Sequence, residues 1–133
     1  MGLALTPEQA SREQPAVPKI AWLAPAQAYA ATDGRQLVAS QLDLCGRILS
    51  MGALHASFTG TGSIALATAA AIPGTLAHAL HSLSDDALLR IGHPAGVLPV
   101  GARVRLAGGH WYLEQARLVR TARRLMLGQL VLP

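Results

Sequence analysis

The chain has 133 residues, enough for one domain with a buried core and small for a two-lobed enzyme. Hydrophobic residues make up 51% and charged ones only 14%, with a mean hydropathy of +0.34, which excludes a disordered tail or linker. The net charge of +4 invites a nucleic-acid reading, yet only Arg117, Arg120, Arg123 and Arg124 cluster, and one Phe, two Trp and two Tyr leave little to stack on bases, so no nucleic acid is expected as a partner.

Gly, Pro and Arg interrupt the apolar content before any run reaches the ~20 residues of a membrane span, so no membrane partner is expected. The first residues turn polar quickly, without a basic start followed by a long apolar stretch, and the cytoplasm is the expected compartment. The single cysteine, Cys45, leaves no internal disulfide and no multi-cysteine zinc site. His55, His78, His81, His93 and His110 lack the spacing of a histidine metal motif, so no metal is expected.

In chain order, residues 5–14 predict a short exposed helix or turn, with Thr6 as a candidate cap, Pro7 at the first helical position and Glu8 in the first turn. Residues 19–24, set between Pro18 and Pro25, suit a strand. Residues 25–34 then read as loop, with Asp33-Gly34 as the turn. The short apolar run 36–40 is ambiguous, and 43–48 predicts a strand that delivers Arg47 to the segment beyond it. Residues 75–82 fit helix or strand equally. Residues 87–91, 97–100, 102–106 and 111–119 are successive strand candidates separated by Gly- and Pro-rich turns, an antiparallel meander. Polar and apolar residues alternate at 103–106 and 117–120, as they do where one strand face meets water. Residues 121–127 predict one or two helical turns before Gly128, and 129–132 a final strand. Strands curled around one buried helix give an α+β fold.

That helix lies in the stretch on which the rest is organised, residues 47–74. Thr59, Gly60, Thr61 and Gly62 read as a turn whose hydroxyls can cap a helix start. Residues 64–72 are all good or tolerable helix formers and stop at Pro73-Gly74. Because every face of 64–72 is apolar or small, the helix is expected to be buried all round, with its first-turn amides pointing into the Gly-rich loop. Such a start favours carboxylate or phosphate, and Arg47 and His55 are close enough in sequence to join it. The same pattern also fits a core helix with a flexible entry loop that binds nothing.

Other residues invite plainer readings. Cys45 sits between Leu44 and Gly46 in the predicted strand and reads as a small buried thiol rather than a nucleophile. His93, in Gly-His-Pro, reads as a turn residue. His55 fits equally well as a substrate contact or as a hydrogen-bonded structural histidine.

Four phrases in order carry a further signal: VPKIAWLAP (17–25), RILSMGALHASFTGTGSIALATAAAIPGT (47–75), LRIGHPAGVL (89–98) and RTARRLMLGQLVLP (120–133). Together they resemble the C-terminal part of the PrpF family, the 2-methylaconitate cis-trans isomerases, similar in fold to diaminopimelate epimerase. Ala95 stands where that family usually has serine, and Leu127 where an acidic residue usually precedes the glycine. The resemblance implies that residues 1–133 form one lobe of a two-lobed fold, with its antiparallel strands around a central helix. It also implies that the other lobe, with the catalytic lysine and cysteine, is not represented here, since nothing in this sequence matches either motif.

By that resemblance the loop from Arg47 to Gly62 is half of a substrate cleft, with Arg47 and Ser50 as carboxylate contacts, Met51 and Gly52 along the wall, and His55, Thr61 and Gly62 completing it. The implied chemistry is cofactor-free. A proton leaves next to a carboxylate of a tricarboxylic acid and the double bond shifts, a step of the 2-methylcitrate cycle of propionate breakdown. This half would supply donors for the extra negative charge and no catalytic acid or base, so the chain alone is expected to be inactive and to need the other lobe or a second copy. The alternative is a non-catalytic remnant that retains anion binding or acts through protein contacts. Arg120, Arg123 and Arg124 are expected to tie a C-terminal helix to the rest.

Overall fold

The computed structural model describes residues 2, 4–81 and 87–129. Helix α1 (Pro7–Glu13) forms as its sequence predicts: the Thr6 hydroxyl accepts from the Gln9 amide, Pro7 opens the first turn, and no residue is buried. Strand β1 (Ala21–Pro25) follows. Strands β2 (Tyr29–Ala30) and β3 (Gln36–Leu37) make a small hairpin whose turn holds Gly34 at φ 85°, and the ambiguous run resolves into β3 and a 3-10 turn at Ala39–Gln41.

Strand β4 (Leu44–Ser50) pairs antiparallel with β1 and, through a two-residue hairpin, with β5 (Ala53–Leu54). Its other neighbour is β6 (Leu89–His93), and that pair is parallel, which corrects the expectation of a wholly antiparallel arrangement. The reason lies in the connection. Between β4 and β6 the chain passes through α2 (Gly60–Ala71) and α3 (Leu76–Ala79), and a crossover of this kind returns the chain in the direction it left. Strands β6, β7 (Gly96–Ala107) and β8 (His110–Leu118) form the predicted meander, giving the sheet order β1-β4-β6-β7-β8. Residues 97–100 and 102–106 are one strand rather than two, because Val100 and Gly101 stay paired with Leu118 and Arg117, and the irregularity falls later, between Arg103 and Val104.

Alternation along β4 and β6 divides the apolar residues between two faces. Leu44, Ile48, Leu89 and Ile91 pack with Phe58, Leu66, Ala67 and Ala70 beneath α2. Cys45 faces the other way, buried among Ala31, Leu37 and Leu42, as the small buried thiol its neighbours predict.

Helix α2 departs from expectation at its start and on its flank. It begins at Gly60, so the predicted glycine turn is its first turn and only Thr59 lies outside, where its hydroxyl accepts from the Gly62 amide. Ser63, Leu66, Ala67 and Ala70 are buried while Thr61 and Ala65 are exposed, so the helix is not buried on every side. Its uniformly apolar composition carries no information about which side the sheet covers. The helix stops before Pro73-Gly74, with Gly74 at φ 86°, and Thr75 then caps α3 by accepting from the His78 amide.

Beyond β8, residues 119–129 are neither helix nor strand and are exposed, which corrects the helix expected at 121–127. One or two turns do not offset the cost of nucleation without a surface to pack on, and Leu125, Met126 and Leu127 are at least 81% exposed. The expected last strand falls largely on residues 130–132, outside the described residues. Among the described residues no helix is long and apolar enough to cross a membrane.

Candidate functional site

The carboxyl end of β6 lies level with the middle of the parallel strand β4, and the loop that leads into α2 packs back on β4 at the same place, through Phe58 on Gly46. Arg47 stands at the middle of β4, level with the end of β6. It lies on the face it shares with Cys45, opposite the residues beneath α2. Its Nη1 donates to the carbonyls of Gly46 (2.8 Å) and Gly92 (3.1 Å), and its guanidinium carbon lies 4.9 Å from the centre of the Tyr29 ring. Arg47 thus ties the middle of β4 to the end of β6 with one nitrogen.

Gly46, the residue before it, faces α2. A Cβ there would come 2.9 Å from Phe58 Cε2 and 3.1 Å from Ile91 Cγ2, so the Phe58 ring lies directly on bare backbone. This packing anchors the loop that leads into α2. In that loop the His55 amide donates to the Ile48 carbonyl, and His55 Nδ1 accepts from the Ser57 amide at 3.1 Å.

Opposite the loop stands the β6–β7 turn. His93 is 6% exposed; its Nδ1 accepts from the Ala95 amide at 3.2 Å and its Nε2 lies 3.5 Å from Ser57 Oγ. Burial first, then the charge of Arg47 and the nearby His55, hold its pKa below the ordinary 6.5. The Tyr29 hydroxyl lies 2.8 Å from the His93 carbonyl and 2.9 Å from that of Gly96, fixing the turn, and burial raises its pKa. His93 is therefore a turn residue, as predicted, and also a member of this cluster.

The start of α2 carries a second cation. A Cβ on Gly60 would come 2.9 Å from Arg120 Nη2, so this guanidinium lies over the first turn, at the positive end of the helix dipole. Arg120 was expected to secure a C-terminal helix; the structure puts it against α2 instead. Asp43, the acidic residue nearest in sequence, stands just before β4 begins. It binds Arg90 at 2.6 Å and accepts from the Arg90 amide. The end of β6 and the loop into α2 therefore gather donors and cations, and on the turn's other side Arg35, paired with Asp33, donates to the Ala95 carbonyl.

The predicted site residues do not all meet. Arg47 and His55 join Ser57 and His93 around the end of β6. Ser50, Met51 and Gly52 form the tip of the β4–β5 hairpin, with Met51 at φ 56° and Gly52 at φ 76°, and line an open cavity of about 270 Å³ against α1 and Val17. A hairpin turns the chain back within two residues, which carries its tip away from the His93 turn. Thr61 is exposed in the first turn of α2, and the Gly62 amide is taken by Thr59. Gly62 is needed there, since a Cβ would meet Thr59 Oγ1 and lie 2.7 Å from Ile48 Cδ1.

Sequence reasoning missed Ser57, Tyr29 and Arg120. Ser57 follows His55 by two residues and was legible as a polar loop residue, whereas Tyr29 and Arg120 reach the site only through pairing and chain reversal.

The profile of the family described as PrpF protein matches residues 1–133. The chain is 43% identical over 126 residues to 2-methyl-aconitate isomerase of Shewanella oneidensis, covering 95% of this chain and 31% of that protein. It is 40% identical over 133 residues to 2-methyl-aconitate isomerase of Cupriavidus necator (100% and 33%) and 38% identical over 130 residues to 3-methylitaconate isomerase of Eubacterium barkeri (96% and 33%). Among solved structures, methylitaconate-delta-isomerase matches with a TM-score of 0.72 and 32% identity, over 90% of this chain and 32% of that one. The chain spans about a third of the length of these relatives. Sequence along the whole chain and the fold of most of it agree, and the chain belongs to the PrpF family.

Proposed function

We propose that this chain forms the anion-binding part of a cofactor-independent isomerase acting on 2-methylaconitate or a closely similar tricarboxylate, within propionate breakdown by the 2-methylcitrate cycle. The observation that carries this reading is the gathering of donors and cations at the end of β6, the middle of β4 and the loop into α2, with Asp43 held by Arg90 before β4 begins. Removing a proton next to a carboxylate sends charge onto its oxygens. Groups preorganised for that charge, the Arg47 guanidinium held by the Gly46 and Gly92 carbonyls and the donors of the loop into α2, lower the barrier without reorganising.

In this reading Arg47 and His55 contact substrate, Gly62 shapes the wall at the start of α2, the Ser50–Gly52 tip lies apart from this contact, and no metal or cofactor takes part. The acid and base come from the part of the family fold that this chain does not match, and the chain acts together with that part or with a further copy of itself. Helix α2 is then the central helix of a diaminopimelate epimerase-like lobe, its exposed flank at Thr61 and Ala65 covered in the whole assembly.

Calorimetric titration with a tricarboxylate, paired with thermal melting, tests this. Arg47→Ala is expected to weaken binding by roughly 1.5 to 3 kcal/mol, the scale of a hydrogen bond to a charged group, with unfolding still cooperative. Arg47→Lys recovers part of the loss. Unchanged binding together with a collapsed melting transition would make Arg47 purely the tie between Gly46 and Gly92 and remove it from the site. Double-bond migration followed by proton NMR tests the division of labour: turnover by this chain alone would place the acid and base within it.

A further inference from the structure

We propose that Ser57 is a further carboxylate-contacting hydroxyl of this site and that His93 is its positioning residue, holding it through an Nε2–H directed at Oγ. The assignment rests on the reading of this cluster as a carboxylate-binding site and extends it to two residues outside the expected set.

The hydrogen bonds decide which ring nitrogen carries the proton. A backbone amide can only donate, so the contact from Ala95 N to His93 Nδ1 at 3.2 Å requires a lone pair on Nδ1. Burial and the neighbouring Arg47 and His55 favour the neutral ring, whose single proton is then on Nε2. That proton faces Ser57 Oγ at 3.5 Å, a separation at the long end for a hydrogen bond and of the kind that shortens when a site is engaged. Ser57 is held at its other end too, its amide donating to His55 Nδ1 at 3.1 Å.

A hydroxyl that accepts from His93 has one proton left to donate. The groups coupled electrostatically to His93 are Arg47 and His55, and the carboxylates placed nearby among the described residues are already engaged, Asp33 with Arg35, which reaches the turn at Ala95, and Asp43 with Arg90. The acceptor that this arrangement fits is the carboxylate of a bound acid, and the hydroxyl donates to it in a fixed direction rather than rotating between partners.

Substitutions separate the two roles of the ring. His93→Asn keeps an oxygen near the position of Nδ1 for the Ala95 amide and removes the donor to Ser57; His93→Gln places an amide nitrogen near the position of Nε2 and gives up the Nδ1 acceptor. With propane-1,2,3-tricarboxylate as probe, calorimetry on the full chain is expected to show about tenfold weaker binding for Ser57→Ala and for His93→Asn. The double variant is expected to be no weaker than either single one, and His93→Gln and Ser57→Thr to recover part of the affinity. Nitrogen-15 NMR of the wild type is expected to show His93 protonated at Nε2 and bare at Nδ1. A protonated Nδ1 overturns the proposal, as does a Ser57→Ala variant that binds like the wild type; in the latter case the carboxylate site stands and only this assignment falls. A wild-type chain that gives no binding heat removes both.

Discussion

At the residue scale, His93 shows how a short motif is half legible. Gly-His-Pro-Ala-Gly announces a turn, and the Nδ1 contact to Ala95 is that turn. What the motif cannot announce is Ser57, 36 positions away in sequence, or the approach of Arg47 and His55. Their proximity has a consequence for stability. Folding lowers the His93 pKa below 6.5, so below that pH the unfolded chain binds a proton that the folded chain does not. The stability linked to His93 is full above 6.5, falls as the pH drops, and is gone once the lowered folded pKa is passed. Denaturant titrations across this range are expected to show the decline in the wild type and a shallower slope in His93→Asn; parallel slopes would mean that the ring is not buried neutral. Gly46 is a different case. Its role as the bare surface beneath Phe58 follows from contacts between a strand and a loop, which no local pattern specifies.

At the scale of elements, α2 was legible where chemistry is local and illegible where it is not. The Thr59 cap and the stop at Pro73-Gly74 follow from hydrogen-bonding capacity and backbone restriction alone. Thr59→Ala is expected to cost about 1 kcal/mol in denaturant unfolding and Thr59→Ser much less, because only the hydroxyl's bond to the Gly62 amide is at stake. Equal losses for both would assign the effect to the threonine methyl group. The covered side of α2 was not legible, since alanines on every face give no amphipathic signal. Residues 75–82 were undecided for a related reason: the Thr75 cap and the bonds from both His78 and His81 to the Ala70 carbonyl, not periodicity, hold α3 against the end of α2. Residues 121–127 failed in the opposite direction, having helix-forming composition but nothing to pack against among the described residues.

At the scale of the whole molecule, apolar surface is left in the open. Strand β8 is exposed over most of its length, with Trp111 41%, Tyr112 50% and Leu113 47% accessible, and Leu106 across the hairpin is 55% accessible. Helix α2 adds its Thr61 and Ala65 flank. Surface of this extent favours association, so the purified chain is expected to sediment with increasing mass as its concentration rises and to bind a hydrophobic dye. Adding a polypeptide that spans the unmatched two-thirds of a relative is expected to suppress both. A dye-silent monomer at every concentration would show that the open strand and helix flank need no partner, and the proposal of a shared assembly would have to be withdrawn.

By itself the sequence determined the things that depend on near neighbours along the chain: the capped α1 and α2, the β6–β7–β8 meander, the buried Cys45 and the family. It also marked the glycine-rich entry to α2, because such an entry to a helix is a local feature. Only the tertiary structure decided that β4 and β6 run parallel, that one flank of α2 is covered, that the hairpin tip at Met51 turns away, and that Ser57 and His93 meet. These depend on contacts between residues tens of positions apart, and a single chain's pattern of polar and apolar residues holds no record of which such pairs will close.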